Sequence, residues 1–367
     1  MSTQIRIPSS SACRKLRGAD TWISEGKDMA TVSEKPPATV AEPPLEPDLP
    51  ICDPHHHLRE RPNDRYFLDE FIQDSGSGHN IVATICVENR AMYRKGGPET
   101  MKPVGETEFF DNVAARAASD PNNRIRVAAG IVRHADLSLG EAVIQVIEAH
   151  LSASPNRFRG IRHSTTWDES ETIRSDARPG LLADKTFRRG FACLRRYDLS
   201  FDAWLYHPQL LELVELARAF PDVVIILDHI GGPLGVGPYR GKRDEVFQVW
   251  SKGIADLSSC ANVTVKLGGF GSTRSGYDWH ERAVQPASAE LADTMAPYFD
   301  FCVEKFGAHR CMFESNFPVD KASYSYVAIW NAFKRITQRY SAAECQALFH
   351  DTAARVYRIA STGQPVG

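Results

Sequence analysis

The chain has 367 residues, a formal net charge of −3, 43% apolar residues and 24% charged residues. These proportions are ordinary for a globular protein, and the charge gives no electrostatic footprint for nucleic acid. No apolar run approaches the ~20 residues that a membrane-spanning helix needs. We therefore expect a small-molecule partner and neither a nucleic-acid nor a membrane partner.

The first 48 residues differ in composition from the rest, being rich in Ser, Pro, Ala, Glu and Lys. Such a composition cannot bury a core, so it predicts a disordered or extended N-terminal arm over 1–48, followed by one domain over 49–362. Basic residues at the start of the arm raise the alternative of an organellar transit peptide. We favour instead a natural start at Met29, with residues 1–28 as an upstream extension.

Eight cysteines are spread along the chain, and none forms a C-x-x-C pair. Several lie inside apolar runs, which indicates free buried thiols rather than a disulfide framework or a zinc finger. We expect a reducing compartment, the cytoplasm.

Eight short apolar segments follow the arm, each succeeded by a helical pattern or by a loop long enough to hold one. Continuous apolar strands that alternate with helices predict a parallel sheet. Eight such units predict an α/β fold, the (β/α)₈ TIM barrel, and an open doubly wound sheet is the alternative. The predicted strands begin near residues 50, 81, 125, 158, 199, 223, 263 and 311.

Polar residues recur where these predicted strands end, and in a TIM barrel those ends form the active-site face. A TIM barrel would bring residues that are far apart in the sequence onto one rim. They are His55 and His57, Glu88, Arg162 and His163, Tyr206 and His207, Asp228 and His229, Lys266, and Glu314 and Asn316.

The first of these ends reads Asp53-Pro54-His55-His56-His57. Because side chains alternate along a strand, Asp53, His55 and His57 are expected to point the same way. An acid and two imidazoles on one side can hold a divalent metal or bind an anionic substrate.

Ordinary structural roles remain open for several of these residues. His56 and His163 could be capping or surface residues, and His207 could cap the helix that follows it. Lys266 lies within an apolar strand, where an unpaired ammonium is costly, so we expect it to meet a carboxylate or a substrate anion. Glu314 could be its ion-pair partner only.

Several segments together resemble the amidohydrolase-related TIM-barrel hydrolases of the amidohydrolase 2 type, which include 2-pyrone-4,6-dicarboxylate lactonase and sugar lactonases. The resemblance covers about residues 50–360. It is carried by Asp53-Pro54-His55-His56-His57, Gly160-Ile161-Arg162-His163, Leu227-Asp228-His229-Ile230-Gly231-Gly232-Pro233, Phe313-Glu314-Ser315-Asn316-Phe317-Pro318 and Thr352-Ala353-Ala354-Arg355-Val356-Tyr357.

The resemblance implies a hydrolase that opens a lactone, or a related cyclic ester or amide of an organic acid, with activated water. It implies Zn or Mn as cofactor, although some relatives work without metal, and a homodimer is possible. The implied metal ligands are His55, His57, His207 and Glu314. The implied catalytic residues are His55, His57, His207, His229, Glu314 and Asn316. The implied substrate-binding residues are Glu88, Arg162, His163, Lys266 and Tyr206, with Arg162 and Lys266 holding a carboxylate.

One departure from the family pattern bears on the chemistry. The family usually ends its last strand Gly-Ser-Asp-Trp-Pro, whereas this chain has Asn316 in the place of the Asp. An amide cannot accept a proton as a carboxylate does, and it is a poorer metal ligand. We hypothesise that Glu314, two residues earlier on the same side of the strand, supplies the missing carboxylate while Asn316 positions water or substrate. The alternatives are a non-oxidative decarboxylase of the same superfamily and a catalytically impaired binding protein.

Overall fold

A computed structural model describes residues 38–61 and 64–360. Its main sheet has eight parallel strands that hydrogen-bond in chain order, each to the next. A short hairpin, Arg59–Arg61 with Asp64–Tyr66, follows the first strand. The eight strands are β1 Pro50–His56, β2 Asn80–Val87, β3 Arg126–Arg133, β4 Phe158–Arg162, β5 Ser200–Ala203, β6 Ile225–Leu227, β7 Val263–Leu267 and β8 Cys311–Phe313.

The sheet curls into a nearly closed barrel, because the exit of β8 reaches back to β1. His57 donates its backbone N–H to Phe317 O at 2.7 Å, and Asn316 donates its own to His55 O at 2.9 Å. The open doubly wound alternative is therefore excluded, and the predicted TIM barrel is confirmed with every strand close to its expected position.

Helices alternate with the strands and bury one face against them. Helix α4 shows the local cause, since Asp184 caps it by accepting from Thr186 N and Phe187 N and the apolar face carries Phe187 and Phe191. The helices are α1 Leu68–Ser75, α2 Val104–Ser119, α3 Val143–Ala153, α4 Lys185–Ala192, α5 Leu210–Ala219, α6 Arg243–Ser258, α7 Ser288–Phe306, α8 Tyr326–Ile336, α9 Ala342–Gln346 and α10 Thr352–Val356.

The barrel interior is filled by strand side chains and closed by the end of the chain. Cys52, Val132, Ile226 and Met312 form one apolar cluster with residues that follow β8, among them Tyr357. The phenol of Tyr357 donates to Asp202 Oδ2 inside the barrel at 2.6 Å. The buried polar side chains, of which Asp202 is one, therefore lie next to this apolar cluster.

Residues 38–48, which composition places in the arm, form an N-terminal strap against the barrel. Glu42 accepts from Ser288 N at 2.7 Å, which satisfies a backbone donor at the start of α7. Lys334 donates to Leu45 O and Glu46 O at 2.8 Å each. Residues 38–48 of the expected arm therefore lie against the surface of the barrel. The rest of the expected arm, with Met29, lies outside the described residues.

Two further expectations concern thiols and membranes. Within residues 38–61 and 64–360 the seven cysteines are free thiols, and five of them are buried. In the same part of the chain, the helices lack the combination of length and hydropathy that crossing a bilayer requires.

Candidate active site

The ends of β1 and β6 meet the end of β8 at a buried carboxylate, Glu314. Its Oε1 lies 2.6 Å from His229 Nδ1 and accepts from His229 N at 3.1 Å. Its Oε2 lies 3.0 Å from His55 Nδ1. Burial by itself would raise the pKa of Glu314, but His229 and His55 hold it at about 2. The carboxylate is therefore ionised and can only accept hydrogen bonds.

This contact fixes the tautomer of His229. Because Glu314 Oε1 accepts, Nδ1 of His229 carries the proton, and in the neutral ring Nε2 has a free lone pair. His229 sits in a left-handed turn with φ of 52° directly after β6. Such a turn re-aims the side chain away from the direction it would have in a continued strand.

Two glycines after β7 make room for this pair. A Cβ at Gly268 would lie 2.4 Å from Glu314 Cγ, and a Cβ at Gly269 would lie 2.6 Å from His229 Cβ. Gly269 also has φ of 77°, which side chains rarely allow. Gly268-Gly269 is thus required by the close approach of β7 to the two polar side chains.

His57 contacts the other edge of His55. The two Nε2 atoms are 3.2 Å apart, and His57 Nδ1 lies 3.1 Å from Val87 O. The carbonyl can only accept, so Nδ1 of His57 carries its proton and Nε2 is the acceptor. Burial lowers the pKa of His57 well below its usual value, which keeps the ring neutral.

Arg162 and Glu88 form an ion pair beside these histidines. Arg162 Nε donates to Glu88 Oε1 at 3.0 Å, and Nη1 lies 3.2 Å from His55 Nε2 and 3.4 Å from Asp228 Oδ2. Both side chains are about nine-tenths buried. The guanidinium is thus neutralised from within the protein and does not present a free charge to a carboxylate.

Lys266 is neutralised in the same way, one layer deeper. Its Nζ lies 2.8 Å from Asp202 Oδ2, 2.9 Å from Asp228 Oδ1 and 3.1 Å from His55 Nδ1. Burial would raise the pKa of Asp228, but Lys266, His55 and Arg162 hold it well below its usual value. The expectation that Lys266 meets a carboxylate is confirmed. Its ion-pair partners are Asp202 and Asp228 and not Glu314.

Asn316 lies at the mouth with its amide held by Asp320. Its Nδ2 donates to Asp320 Oδ1 at 2.9 Å, while Gly271 N and Tyr324 OH donate to Asp320 Oδ2. Burial raises the pKa of Asp320 to about 7. Oδ1 of Asn316 is buried and has no hydrogen-bond partner within 38–61 and 64–360. The side chain therefore offers an acceptor, where the family's Asp would offer a base.

Three expected site residues bond to partners away from Glu314. His207 Nδ1 accepts from Leu234 N at 3.4 Å, and no ion pair or hydrogen bond of the described residues links it to Glu314. His163 accepts from Leu137 N and packs against His134. Asp53 accepts from Ser315 N and Tyr326 OH, which ties β1 to β8 and α8. Of Asp53, His55 and His57, which are expected to point the same way, His55 and His57 are the two that contact each other in the site.

A pocket opens beside His229 between the loops after β5, β6 and β7. The cavity proper measures about 30 Å³, and the surrounding empty space of about 500 Å³ includes open solvent. Tyr206 lies in its wall, with its ring 5.8 Å from that of Trp204, and Trp204 contacts the His229 ring edge-on at 4.8 Å. The pocket is also lined by Phe270, Arg274 and Tyr277. His229 therefore forms part of the wall of this pocket.

Sequence patterns do not identify three residues of the site, Asp202, Asp320 and Arg274. They place Asp228 at a strand end but predict no role for it. Asp202 had a usable signal, because an acid inside a short strand of otherwise uncharged residues needs a cation as much as Lys266 needs an anion. Asp320 and Arg274 lie in loops, where no periodicity indicates which way a side chain points.

The donor set at the centre fits a divalent metal in its chemistry. One ligand atom each from His55, His229 and Glu314 lies within 4.8 Å of the others, and all three residues are buried. Two imidazoles and a carboxylate are the usual ligands of catalytic zinc. This group includes His229 in place of the expected His57 and His207.

Comparison with known proteins agrees with this geometry. The profile of the amidohydrolase family matches residues 52–359. An uncharacterized protein of Sinorhizobium fredii is 34% identical over 328 residues, covering 85% of this chain and 99% of the relative. An L-fucono-1,5-lactonase of Burkholderia ambifaria is 25% identical over 73% of this chain and 87% of its own length.

Solved structures support the same fold. A zinc-bound amidohydrolase from Burkholderia multivorans superposes with a TM-score of 0.64 at 24% identity, covering 84% of this chain and 99% of that one. The chain belongs to the amidohydrolase family, and it is a hydrolase of that superfamily.

Proposed function

We propose that the protein hydrolyses a lactone, or a related cyclic ester or amide of an organic acid. The observation that carries this proposal is the 2.6 Å contact between His229 Nδ1 and Glu314 Oε1. It leaves His229 Nε2 as a proton acceptor on the wall of the pocket beside it.

In the proposed reaction, His229 takes a proton from the attacking water and later returns one to the leaving alkoxide. Glu314 orients the ring and stabilises the positive charge that the ring gains, as a carboxylate does for a catalytic histidine. Arg162, which is paired with Glu88 and Asp228, helps to position His55, because its Nη1 lies 3.2 Å from His55 Nε2. Asn316 Oδ1 accepts a hydrogen bond from the water or from a substrate hydroxyl.

A divalent metal would be held by His55, His229 and Glu314, and zinc or manganese suits this ligand set. His229 would then be a ligand and not the proton acceptor, so the metal-bound form is an alternative to the reaction described above. When bound, it would lower the pKa of a coordinated water and polarise the carbonyl. The zinc in the related Burkholderia multivorans structure supports this assignment. Metal content of the purified protein, read together with activity before and after chelation, tests it.

The function itself is tested by acid release from a panel of sugar lactones and pyrone carboxylates in weak buffer. We expect ring opening, and we expect His229→Gln to abolish it. His350→Gln is the matched control, because His350 is paired with Asp351 in an exposed position. Release of carbon dioxide without ring opening would instead support the decarboxylase alternative, and no turnover at all would support an impaired binding protein.

A further inference from the structure

Arg274 occupies a rigid place in the pocket beside His229. It lies in a short turn, Thr273–Ser275, that follows β7. Its carbonyl accepts from Gly235 N at 2.8 Å, and Ser275 Oγ donates to Phe270 O at 2.6 Å. The turn is thus bonded both to the loop after β6 and to its own start, so the base of the Arg274 side chain is fixed relative to His229.

The charge of this pocket is one-sided. Its described lining contains two arginines, Arg243 and Arg274, and no Asp or Glu. Arg243 is committed to structure, since it donates to Ser275 O and Gly276 O and lies 3.7 Å from the Tyr277 ring centre. In the part of the chain that the structure covers, no ion pair joins Arg274 to a carboxylate; its side chain bonds Tyr206, and its charge helps to lower the pKa of Asp176.

Arg274 differs from the two more deeply buried cations, Arg162 and Lys266, in its partners. Arg162 and Lys266, which the sequence suggests as carboxylate binders, are each paired to buried acids. A buried or half-buried guanidinium without an anion is costly, and Arg is the side chain best suited to bind a carboxylate in two parallel hydrogen bonds. Among the described residues that line this pocket, the cation available to a ligand is therefore Arg274.

The remaining wall of the pocket is aromatic and apolar. Trp204, Tyr206, Phe270, Tyr277 and Leu234 surround the space between His229 and Arg274. Such walls favour a flat or apolar body over one that carries hydroxyls on every carbon. A ligand that satisfies the pocket thus has a reactive end at His229, a flat body and an anionic end at Arg274.

We propose that Arg274 is the specificity-determining residue of the site and binds a carboxylate of the substrate. The preferred substrate is then a lactone that carries a carboxylate on the side of the ring away from the scissile carbonyl, rather than a neutral sugar lactone. The assignment of the reacting end rests on the proposed function, whereas the anion subsite does not.

The kinetic test uses matched ligands and matched variants. 5-Oxotetrahydrofuran-2-carboxylate and its carboxamide share one lactone ring and differ in charge, and 2-pyrone-4,6-dicarboxylate and L-fucono-1,5-lactone extend the comparison. We expect wild type to prefer the carboxylates, and Arg274→Gln to lower kcat/KM for them by roughly 10- to 100-fold through KM while sparing the neutral lactones. Arg195→Gln, an exposed arginine paired with Asp222, is the control.

A binding measurement separates the two proposals. Calorimetric titration of 2-pyrone-4,6-dicarboxylate into wild type and Arg274→Gln should show affinity that weakens with the variant and with added salt. Binding that depends on Arg274 without hydrolysis of any lactone would overturn the proposed function and keep the anion subsite. Hydrolysis without a carboxylate preference, or a preference that survives in Arg274→Gln, would overturn the subsite. Arg274→Lys keeps the positive charge. It therefore serves as the control that separates loss of the charge from a folding defect.

Discussion

Glu314 Oε1 lies 2.6 Å from His229 Nδ1, and both groups are buried at the end of the barrel. Replacing Glu314 with Gln keeps the size of the side chain and removes the charge that stabilises a protonated His229. We expect kcat to fall by roughly 10²- to 10⁴-fold with little change in KM, because the lost interaction matters most in the transition state. Steady-state kinetics on a hydrolysed lactone measures it.

A second variant, measured with the same kinetics, tests the role of Asn316, which stands where the family usually has an Asp. Asn316→Asp adds a carboxylate where the family usually has one, and it should change the rate if the base is normally supplied there. Full turnover in Glu314→Gln together with no effect of Asn316→Asp would refute the role given to Glu314.

The Asp320–Asn316 contact predicts an amide flip. In Asp320→Asn the new carbonyl can still accept from Gly271 N and Tyr324 OH, so its NH₂ group would face Asn316. Asn316 must then turn its carbonyl towards residue 320 and its NH₂ towards the mouth. We expect kcat/KM to fall by at least ten-fold, with the free energy of unfolding reduced by about 1 kcal/mol.

A crystal structure of this variant and its kcat/KM above pH 8, where Asp320 of wild type is ionised, provide the measurement. Tyr324→Phe is the control, because it removes a donor to Oδ2 and leaves the Asn316 contact on Oδ1. Unchanged kinetics in Asp320→Asn would show that the orientation of Asn316 is irrelevant.

Lys266 is predicted to be essential for stability. Lys266→Met leaves Asp202 buried without a cation and Asp228 with Arg162 alone, and breaking such a group by removing one partner costs about 3–5 kcal/mol. Urea denaturation measures the loss. Lys305→Met, which removes a partly exposed pair with Glu304, should cost less than ~1 kcal/mol. Equal losses in the two variants would contradict the prediction.

Glu106 gives the protein a pH-dependent stability. Burial raises the pKa of this carboxyl to about 7, and its Oε2 has no hydrogen-bond partner within the described ranges. The folded state therefore holds a proton that the unfolded chain releases near pH 4.5. The contribution is fully present below that pH and is lost as the pH rises to about 7.

Chemical denaturation at pH 5 and at pH 8 tests this sign. Glu106→Gln keeps an acceptor for Asn89 N and Ala91 N and should flatten the dependence. Glu290→Gln, an exposed carboxylate paired with Arg282, should leave the dependence of wild type in place. A wild-type stability that rises from pH 5 to pH 7 while Glu106→Gln stays flat would contradict the assignment.

The barrel and much of the site could be predicted from sequence because both depend on local patterns. Continuous apolar runs located the eight strands, and polar residues that end such runs, such as His55 and Glu314, must lie on the common rim of a parallel barrel. The pairing of Glu314 with His229 could not be predicted, since it depends on the left-handed turn after β6.

Expectations failed where the assumed strand geometry did not hold. The pairing register shifts between Asp53 and His56, so simple alternation does not apply across that step and Asp53 bonds to Ser315 and Tyr326. His207 begins a short 3₁₀ turn, His207–Gln209, in which side-chain direction does not follow the strand rule. Three-dimensional contacts decide such positions, and a single sequence does not contain them.

The N-terminal strap, residues 38–48, limits where the chain can be truncated or fused to a label. A chain shortened to begin at residue 49 would remove the Glu42 acceptor from Ser288 and the two carbonyls that bind Lys334. Translation from either Met1 or Met29 keeps them. Ala38 pairs with the loop that leads from β7 into α7, at the end of the barrel that carries the site. A fluorescent protein fused just ahead of residue 38 would therefore sit on the substrate side, and shortening should stop before that residue.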